Sequence, residues 1–173
     1  GFLPASIMAS NLLRAALCAT FYHSGILSSL MHNAWMRTVA GRLESRYRYS
    51  INIVYNNYPW PQNPSDKQRQ AVEAAAQGVL DARALYPQAT LADLYDPLTM
   101  PAELVKAHTA LDRAVDTAYA YKGGKDDASR VAYLFAQYQQ LATPLAATPP
   151  AKRTRAARRP AAPSHQPPSN TTP

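Results

Sequence analysis

Between residues 65 and 142, apolar side chains recur at intervals of three and four in three successive stretches. That spacing places them on one face of a helix, so each stretch predicts an amphipathic helix that must bury its stripe. Because the links between them are short, three such helices can cover each other as a small bundle. The stripes are Val72, Ala75, Ala76, Val79 and Ala82; Leu104, Ala107, His108, Leu111, Val115 and Ala118; and Val131, Leu134, Phe135, Tyr138 and Leu141.

The ends of these helices carry local signals. Ser65 with Gln68 three positions later predicts a capping box at the first start, and Pro87 should end that helix just after Tyr86. The residues from Leu94 to Pro97 are predicted as a loop. Pro101 marks the predicted start of the second helix. Asp126 or Asp127, after the glycine pair 123–124, can cap the start of the third helix.

The first 64 residues show a different, mixed pattern. The apolar run Ala15–Tyr22 could form a buried strand, and from Leu27 the spacing changes to that of a helix. Ser24 can cap the start of this helix and Gly41 its end. Tyrosines and isoleucines then alternate with polar residues from position 47 to 55, which predicts a half-buried strand. The whole chain is therefore predicted to be α+β.

Proline-rich segments divide the chain. Three prolines between positions 58 and 64 stop regular structure, since each lacks a backbone donor and restricts the residue before it. From Thr143 the composition shifts to Ala, Pro, Ser, Thr and Arg, which cannot bury enough apolar surface to fold. We predict three parts: residues 1–64, a helical domain at 65–142, and a disordered tail at 143–173.

Charge is unevenly distributed along the sequence. Residues 1–64 hold five arginines and one acid, residues 65–150 hold eight bases and ten acids, and residues 151–173 hold five bases and no acid. A basic first third beside a slightly acidic middle indicates that only one folded part faces a polyanion.

Several classes of site are missing from the sequence. Cys18 is the only cysteine, which excludes an internal disulfide and a cysteine zinc cluster and fits a reducing, cytoplasmic setting. The four histidines are scattered, the acids form no pair with a reason to be buried, and the glycine pair 123–124 lies between two helices. We therefore expect no catalytic centre, metal or cofactor in this chain, and no membrane span. The start without Met or a signal peptide indicates a fragment.

The segment from residue 35 to 60 is both basic and aromatic. Arg37, Arg42, Arg46 and Arg48 lie within twelve residues, and guanidinium groups bind phosphate and guanine. If residues 43–55 are extended, Glu44, Arg46 and Arg48 share one face. Glu44 could then accept from a cytosine amino group while Arg46 donates to its guanine partner. The alternative is that Glu44 and Arg46 form a surface ion pair that contributes ~0–1 kcal/mol to stability and contacts no base.

Three passages resemble the end of the target-recognition region of MmeI-like DNA methyltransferases, and later passages resemble that family's helical C-terminal domain. The similarity covers roughly residues 2–142. The passages are 28–37 (SSLMHNAWMR), 41–50 (GRLESRYRYS) and 54–61 (VYNNYPWP), then Ala75–Arg83, Leu91–Pro97, Met100-Pro101, 107–116 and Arg130–Phe135. Tyr58 stands where the family pattern favours Phe.

The resemblance implies a class I enzyme that uses S-adenosylmethionine to methylate adenine N6 in a specific DNA sequence, in some members with a fused nuclease. Its Asn-Pro-Pro-Tyr motif and donor pocket would lie upstream of this chain. The family implicates a residue pair two positions apart, just after the Gly-Arg-Leu motif, in reading one base pair; Glu44 and Arg46 occupy those positions. We expect Arg37, Arg42 and Arg48 to contact or support the DNA backbone. The expected partners are double-stranded DNA and the upstream methyltransferase domain.

Two other readings remain open. In the first, residues 65–142 are a helical scaffold or protein-interaction module, and residues 41–60 pack without reading bases. In the second, the basic residues 151–173 tether the protein to nucleic acid without sequence preference.

Overall fold

The computed structural model describes residues 19–146, which form seven helical elements and one two-stranded antiparallel sheet. The predicted α+β class, with a mixed first part and helices after it, is confirmed. In chain order the elements are α1 (Phe21–Ser28), α2 (Leu30–Val39), β1 (Gly41–Leu43), β2 (Arg46–Arg48), a π-helical turn (Ile51–Tyr55), α3 (Asp66–Ala84), α4 (Leu91–Leu94), α5 (Ala102–Ala118) and α6 (Asp127–Ala146).

Two short helices stand where a strand and one longer helix were predicted. Phe21 and Tyr22 open α1 instead of ending a strand, because Thr20 and His23 form a capping box at its start. Residues 15–18 of the predicted strand lie outside the described part of the chain. Ser29, not Ser24, caps α2: its hydroxyl donates to the Ile26 carbonyl at 2.7 Å and accepts from the His32 amide at 3.4 Å.

The strand predicted for residues 47–55 is mostly wrong. Arg46–Arg48 is extended, but residues 51–55 wind into the π-helical turn, where Val54 is fully buried and Ile53 is half exposed. The indole N–H of Trp35 donates to the Val54 carbonyl at 3.0 Å, so a bond from α2 fixes this turn. Gly41 does not end a helix; it is the first residue of β1.

The three predicted C-terminal helices are present, but they do not pack as the predicted three-helix bundle: α3 and α5 lie along each other, whereas α6 lies along α2. The Ser65–Gln68 capping box opens α3, Pro101 precedes α5, and the Asp126 carboxylate accepts from the Ser129 amide at 2.8 Å at the start of α6. Sequence reasoning missed α4, which lies partly in a predicted loop. The tail was placed too early, since α6 continues to Ala146; residues 147–173 lie outside the described part.

The core joins both halves of the chain. Helix α3 packs along α5 and α1, while α6 packs along α2. A side chain at Gly25 would place its Cβ 2.9 Å from Val72 Cγ1, so glycine permits the close approach of α1 and α3. The buried hydroxyl of Tyr119 donates to the Pro59 carbonyl at 2.9 Å, which fastens the proline-rich segment to α5. The first part of the chain therefore rests on the helices that follow it.

Candidate nucleic-acid interface

The hairpin formed by β1 and β2 is the most exposed structured element of residues 41–55. Its register pairs Gly41 with Arg48, Arg42 with Tyr47 and Leu43 with Arg46, and all six residues are exposed. The hairpin follows α2 after a single residue, Ala40. A two-stranded ribbon of this kind fits the width of the DNA major groove.

Glu44 lies at the tip of the hairpin in a conformation that few residues adopt. Its φ is 56°, in the left-handed region where a side chain costs roughly 1–2 kcal/mol. The Arg46 guanidinium donates to the Glu44 carboxylate at 3.3 Å, and the two side chains are 79% and 76% exposed. An ion pair this exposed contributes ~0–1 kcal/mol, which is less than the cost of the backbone conformation. Stability alone therefore does not explain why a glutamate occupies this position at the tip.

The predicted pair is brought together, but in a different way from that expected. The expectation placed Glu44 and Arg46 on one face of a long strand. In the structure Glu44 belongs to the turn, and Arg46 begins β2. The side chains meet because the chain reverses direction between β1 and β2.

Arg42 is the middle residue of β1, and Arg48 is the last residue of β2. The Arg42 guanidinium lies 4.2 Å from the centre of the Tyr47 ring and donates to the Tyr47 hydroxyl at 2.9 Å, so its orientation is set across the two strands. Arg48 is exposed on β2, beside Tyr49. Both cations are therefore carried by the same small sheet as the Glu44–Arg46 pair.

Arg37 stands apart from the hairpin. It lies on α2 and donates to the Asp127 carboxylate at the start of α6, at 2.8 Å. Their side chains are 42% and 48% exposed. Arg37 therefore has a structural partner already, unlike a cation held free for a phosphate.

Sequence reasoning did not connect His32 with the hairpin. His32 is buried on α2, and its Nε2 lies 3.1 Å from the hydroxyl of Tyr49, the first residue after β2. Its ring meets Tyr58 edge-on, with centroids 4.6 Å apart. Burial lowers the pKa of His32 to about 4, so the ring is neutral near pH 7. No local signal links two residues so far apart in sequence.

Within residues 19–146 no three His, Cys, Asp or Glu side chains cluster as metal ligands would. The helices in this range also lack the combination of length and apolar composition that a membrane-spanning helix needs.

Comparison with known proteins identifies the family. Residues 1–62 match the family model of the MmeI target recognition domain, and residues 64–146 match that of the MmeI C-terminal domain. The chain belongs to the MmeI family. The hairpin, with Glu44 and Arg46, lies inside the MmeI target-recognition match.

Two similar proteins extend this comparison. The chain is 40% identical over 141 residues to DNA methyltransferase A of Bacillus subtilis (strain 168), a match that covers 82% of this chain and 16% of that protein. It is 54% identical to the type IIL restriction-modification enzyme MmeI, whose structure in complex with DNA matches 73% of this chain and 17% of that one, with a TM-score of 0.70. The chain thus spans about a sixth of either relative's length.

Proposed function

We propose that this chain is the sequence-reading end of a DNA adenine-N6 methyltransferase of a restriction-modification or related system. Residues 1–64 would supply part of the DNA-recognition surface, and residues 65–142 would support it. The observation that carries the proposal is the exposed hairpin tip, where a strained Glu44 is paired with Arg46 inside a target-recognition match. The structure of the similar enzyme MmeI is a complex with DNA, which supports the same ligand.

An exchange of hydrogen-bond partners explains how this pair would read DNA. Without DNA, Glu44 and Arg46 neutralise each other in water, and separating them costs ~0–1 kcal/mol. In the major groove Glu44 would accept from cytosine N4 and Arg46 would donate to guanine O6 and N7. A good bidentate contact gives roughly 1–3 kcal/mol of discrimination. The exchange therefore favours the bound state when the matching base pair is present.

The remaining arginines would hold the hairpin against the DNA backbone. Arg42 and Arg48 lie on the same sheet as the tip and can reach phosphates on either side of the groove. Arg37 would contact phosphate only if it released Asp127, so we expect its contribution to be the smallest of the three.

The methyl donor, S-adenosylmethionine, would bind outside this chain. The sequence contains no Asn-Pro-Pro-Tyr motif and no glycine-rich loop after a strand. The role of the described residues is accordingly to bind and orient DNA, with no step of the methyl transfer assigned to them. The methyltransferase domain of the same enzyme would be their protein partner.

The test is a charge reversal of the tip in the complete enzyme. Glu44→Lys combined with Arg46→Asp should change the preferred base pair at one position of the methylated sequence and leave the other positions intact. Sequencing that maps methylated adenines across a genome measures this directly. An unchanged methylated sequence from an active variant would refute the proposal.

A second ion pair provides a matched control. Reversing the charges of Arg37 and Asp127 likewise preserves the net charge and inverts the polarity of an exposed pair. Because that pair joins α2 to α6, the reversal should weaken DNA binding at most and leave every base preference unchanged. The alternative is that residues 65–142 only dock onto other domains and the hairpin reads no bases. In that case both reversals would leave every base preference unchanged.

A further inference from the structure

The hairpin cannot fix its own orientation. It has two short strands, and a two-stranded ribbon without a packed face is at best marginally stable in water. All six strand residues are exposed, so none of them is anchored in the core. The orientation of the tip must therefore be set where the two strands leave the rest of the molecule.

The two ends of the hairpin both return to α2. On the entry side, Ala40 caps α2 and donates its amide to the Met36 carbonyl at 2.9 Å, and β1 begins at the next residue. On the exit side, the Tyr49 hydroxyl meets His32 Nε2 on the same helix at 3.1 Å. The hairpin is thus joined to α2 by the chain itself at Ala40 and by the Tyr49–His32 contact at its exit, and the Trp35–Val54 bond then ties the following turn to the same helix.

We propose that His32 and Tyr49 are positioning residues that fix the angle at which the hairpin presents Glu44 and Arg46 to a base pair. The inference rests on the proposed function, because it assigns a role in base reading to residues that do not touch the base. His32 is suited to this role because it is 4% exposed and cannot itself reach DNA.

The contact between His32 and Tyr49, called the tether below, is held in place by the surroundings of His32. Its ring is packed edge-on against Tyr58, which is itself buried against Trp35, Trp60 and Tyr119. Among residues 19–146, His32 Nδ1 has no hydrogen-bond partner. The Tyr49 hydroxyl is then the one polar contact of the ring within that range, and removing it releases the exit strand from a fixed point.

The experiment measures base discrimination by the complete enzyme. Tyr49→Phe removes the hydroxyl and keeps the ring, so folding should be preserved. We expect about a 10-fold loss of discrimination at the position read by Glu44 and Arg46, with unchanged discrimination elsewhere in the site. The measured quantity is the ratio of kcat/KM values for duplexes that differ at one base pair.

Variants of His32 show whether Tyr49 acts through its bond to His32 or contacts DNA directly. His32→Leu should give the same loss as Tyr49→Phe, and the double variant no more than either alone, because one interaction is being removed. His32→Gln keeps a polar group near the position of Nε2 and should retain most of the discrimination. Additive losses in the double variant would contradict the tether.

A second tyrosine–histidine pair supplies the control. Tyr95 and His108 form the same bond at 2.7 Å, and Tyr95 is 40% exposed against 45% for Tyr49. That pair lies beside α1 and α3, so Tyr95→Phe should change no base preference. Equal losses in both tyrosine variants would refute the inference, as would a loss spread over all positions of the site.

The outcomes also distinguish this inference from the proposed function. If charge reversal of Glu44 and Arg46 changes the methylated sequence while Tyr49→Phe leaves discrimination intact, the tether is wrong and the reading pair stands. If the charge reversal changes nothing, the reading pair itself is wrong.

Discussion

Two arginine–carboxylate pairs in this chain lie in opposite surroundings. Arg130 on α6 donates to Asp116 on α5 through both terminal guanidinium nitrogens, one of them at 3.0 Å, and the side chains are 4% and 27% exposed. Arg46 holds Glu44 at the hairpin tip through one bond of 3.3 Å, and more than three quarters of each side chain is exposed.

The two pairs differ in burial, and this difference indicates different roles. The buried pair supports the fold, and the exposed pair is available for recognition. Arg130 cannot release Asp116 without leaving a buried cation unpaired, so this pair keeps α5 and α6 together. Arg46 can exchange Glu44 for water or for a base edge at almost no cost. A side chain that must change partners when DNA binds needs a weak interaction with its partner in the unbound protein, and an exposed position provides one.

The largest expected effect is on the buried pair. Asp116→Ala should lower the free energy of unfolding by about 3 kcal/mol, because Arg130 would keep its charge without a carboxylate. Glu44→Ala, which removes the same kind of partner from Arg46, should change it by less than about 1 kcal/mol. Urea unfolding of the chain, followed by circular dichroism, measures both. Equal losses would show that exposure does not decide the strength of these pairs.

A change of pH tests the helix that carries the hairpin. Burial holds the pKa of His32 near 4, whereas an unfolded histidine titrates near 6.5, so protons favour the unfolded chain between these values. The stability contributed by the neutral ring is complete above pH 6.5 and is lost as pH falls toward 4. We expect a loss of about 2 kcal/mol between pH 7.5 and pH 5.

Other groups titrate in the same range, so the comparison needs a reference variant. Burial also lowers the pKa of His108, and burial raises that of Asp112. The difference between wild type and His32→Gln at each pH removes both contributions. A difference that stays constant from pH 7.5 to 5 would mean that His32 is not buried as neutral imidazole.

The C-terminal helices could be predicted because their signals are local. The Ser65–Gln68 capping box and the apolar spacing of α3 and α5 act within a few residues, and tertiary packing agrees with them. Apolar spacing continues across Ser29, so it could not show the break between α1 and α2. That break depends on one serine side chain bonding both helices.

The hairpin could be predicted only in part. Alternation singled out Glu44 and Arg46 as neighbours, which they are, but it extended the strand through residues that the Trp35–Val54 bond winds into a turn. The His32–Tyr49 contact spans 17 positions and depends on the chain reversal at Glu44. No periodicity within either segment could have indicated it.

The smallest expected effect concerns the strain at the tip, and its sign is opposite to the others. Glu44→Gly should raise the free energy of unfolding by about 0.5 kcal/mol, because glycine adopts a φ of 56° without steric cost. Ser45→Gly is the control: Ser45 has no such positive φ, so its substitution should lower stability by roughly 0.5–1 kcal/mol. Urea midpoints measure both. If the two glycine variants are destabilised equally, the tip is unstrained, and Glu44 needs no functional reason to occupy it.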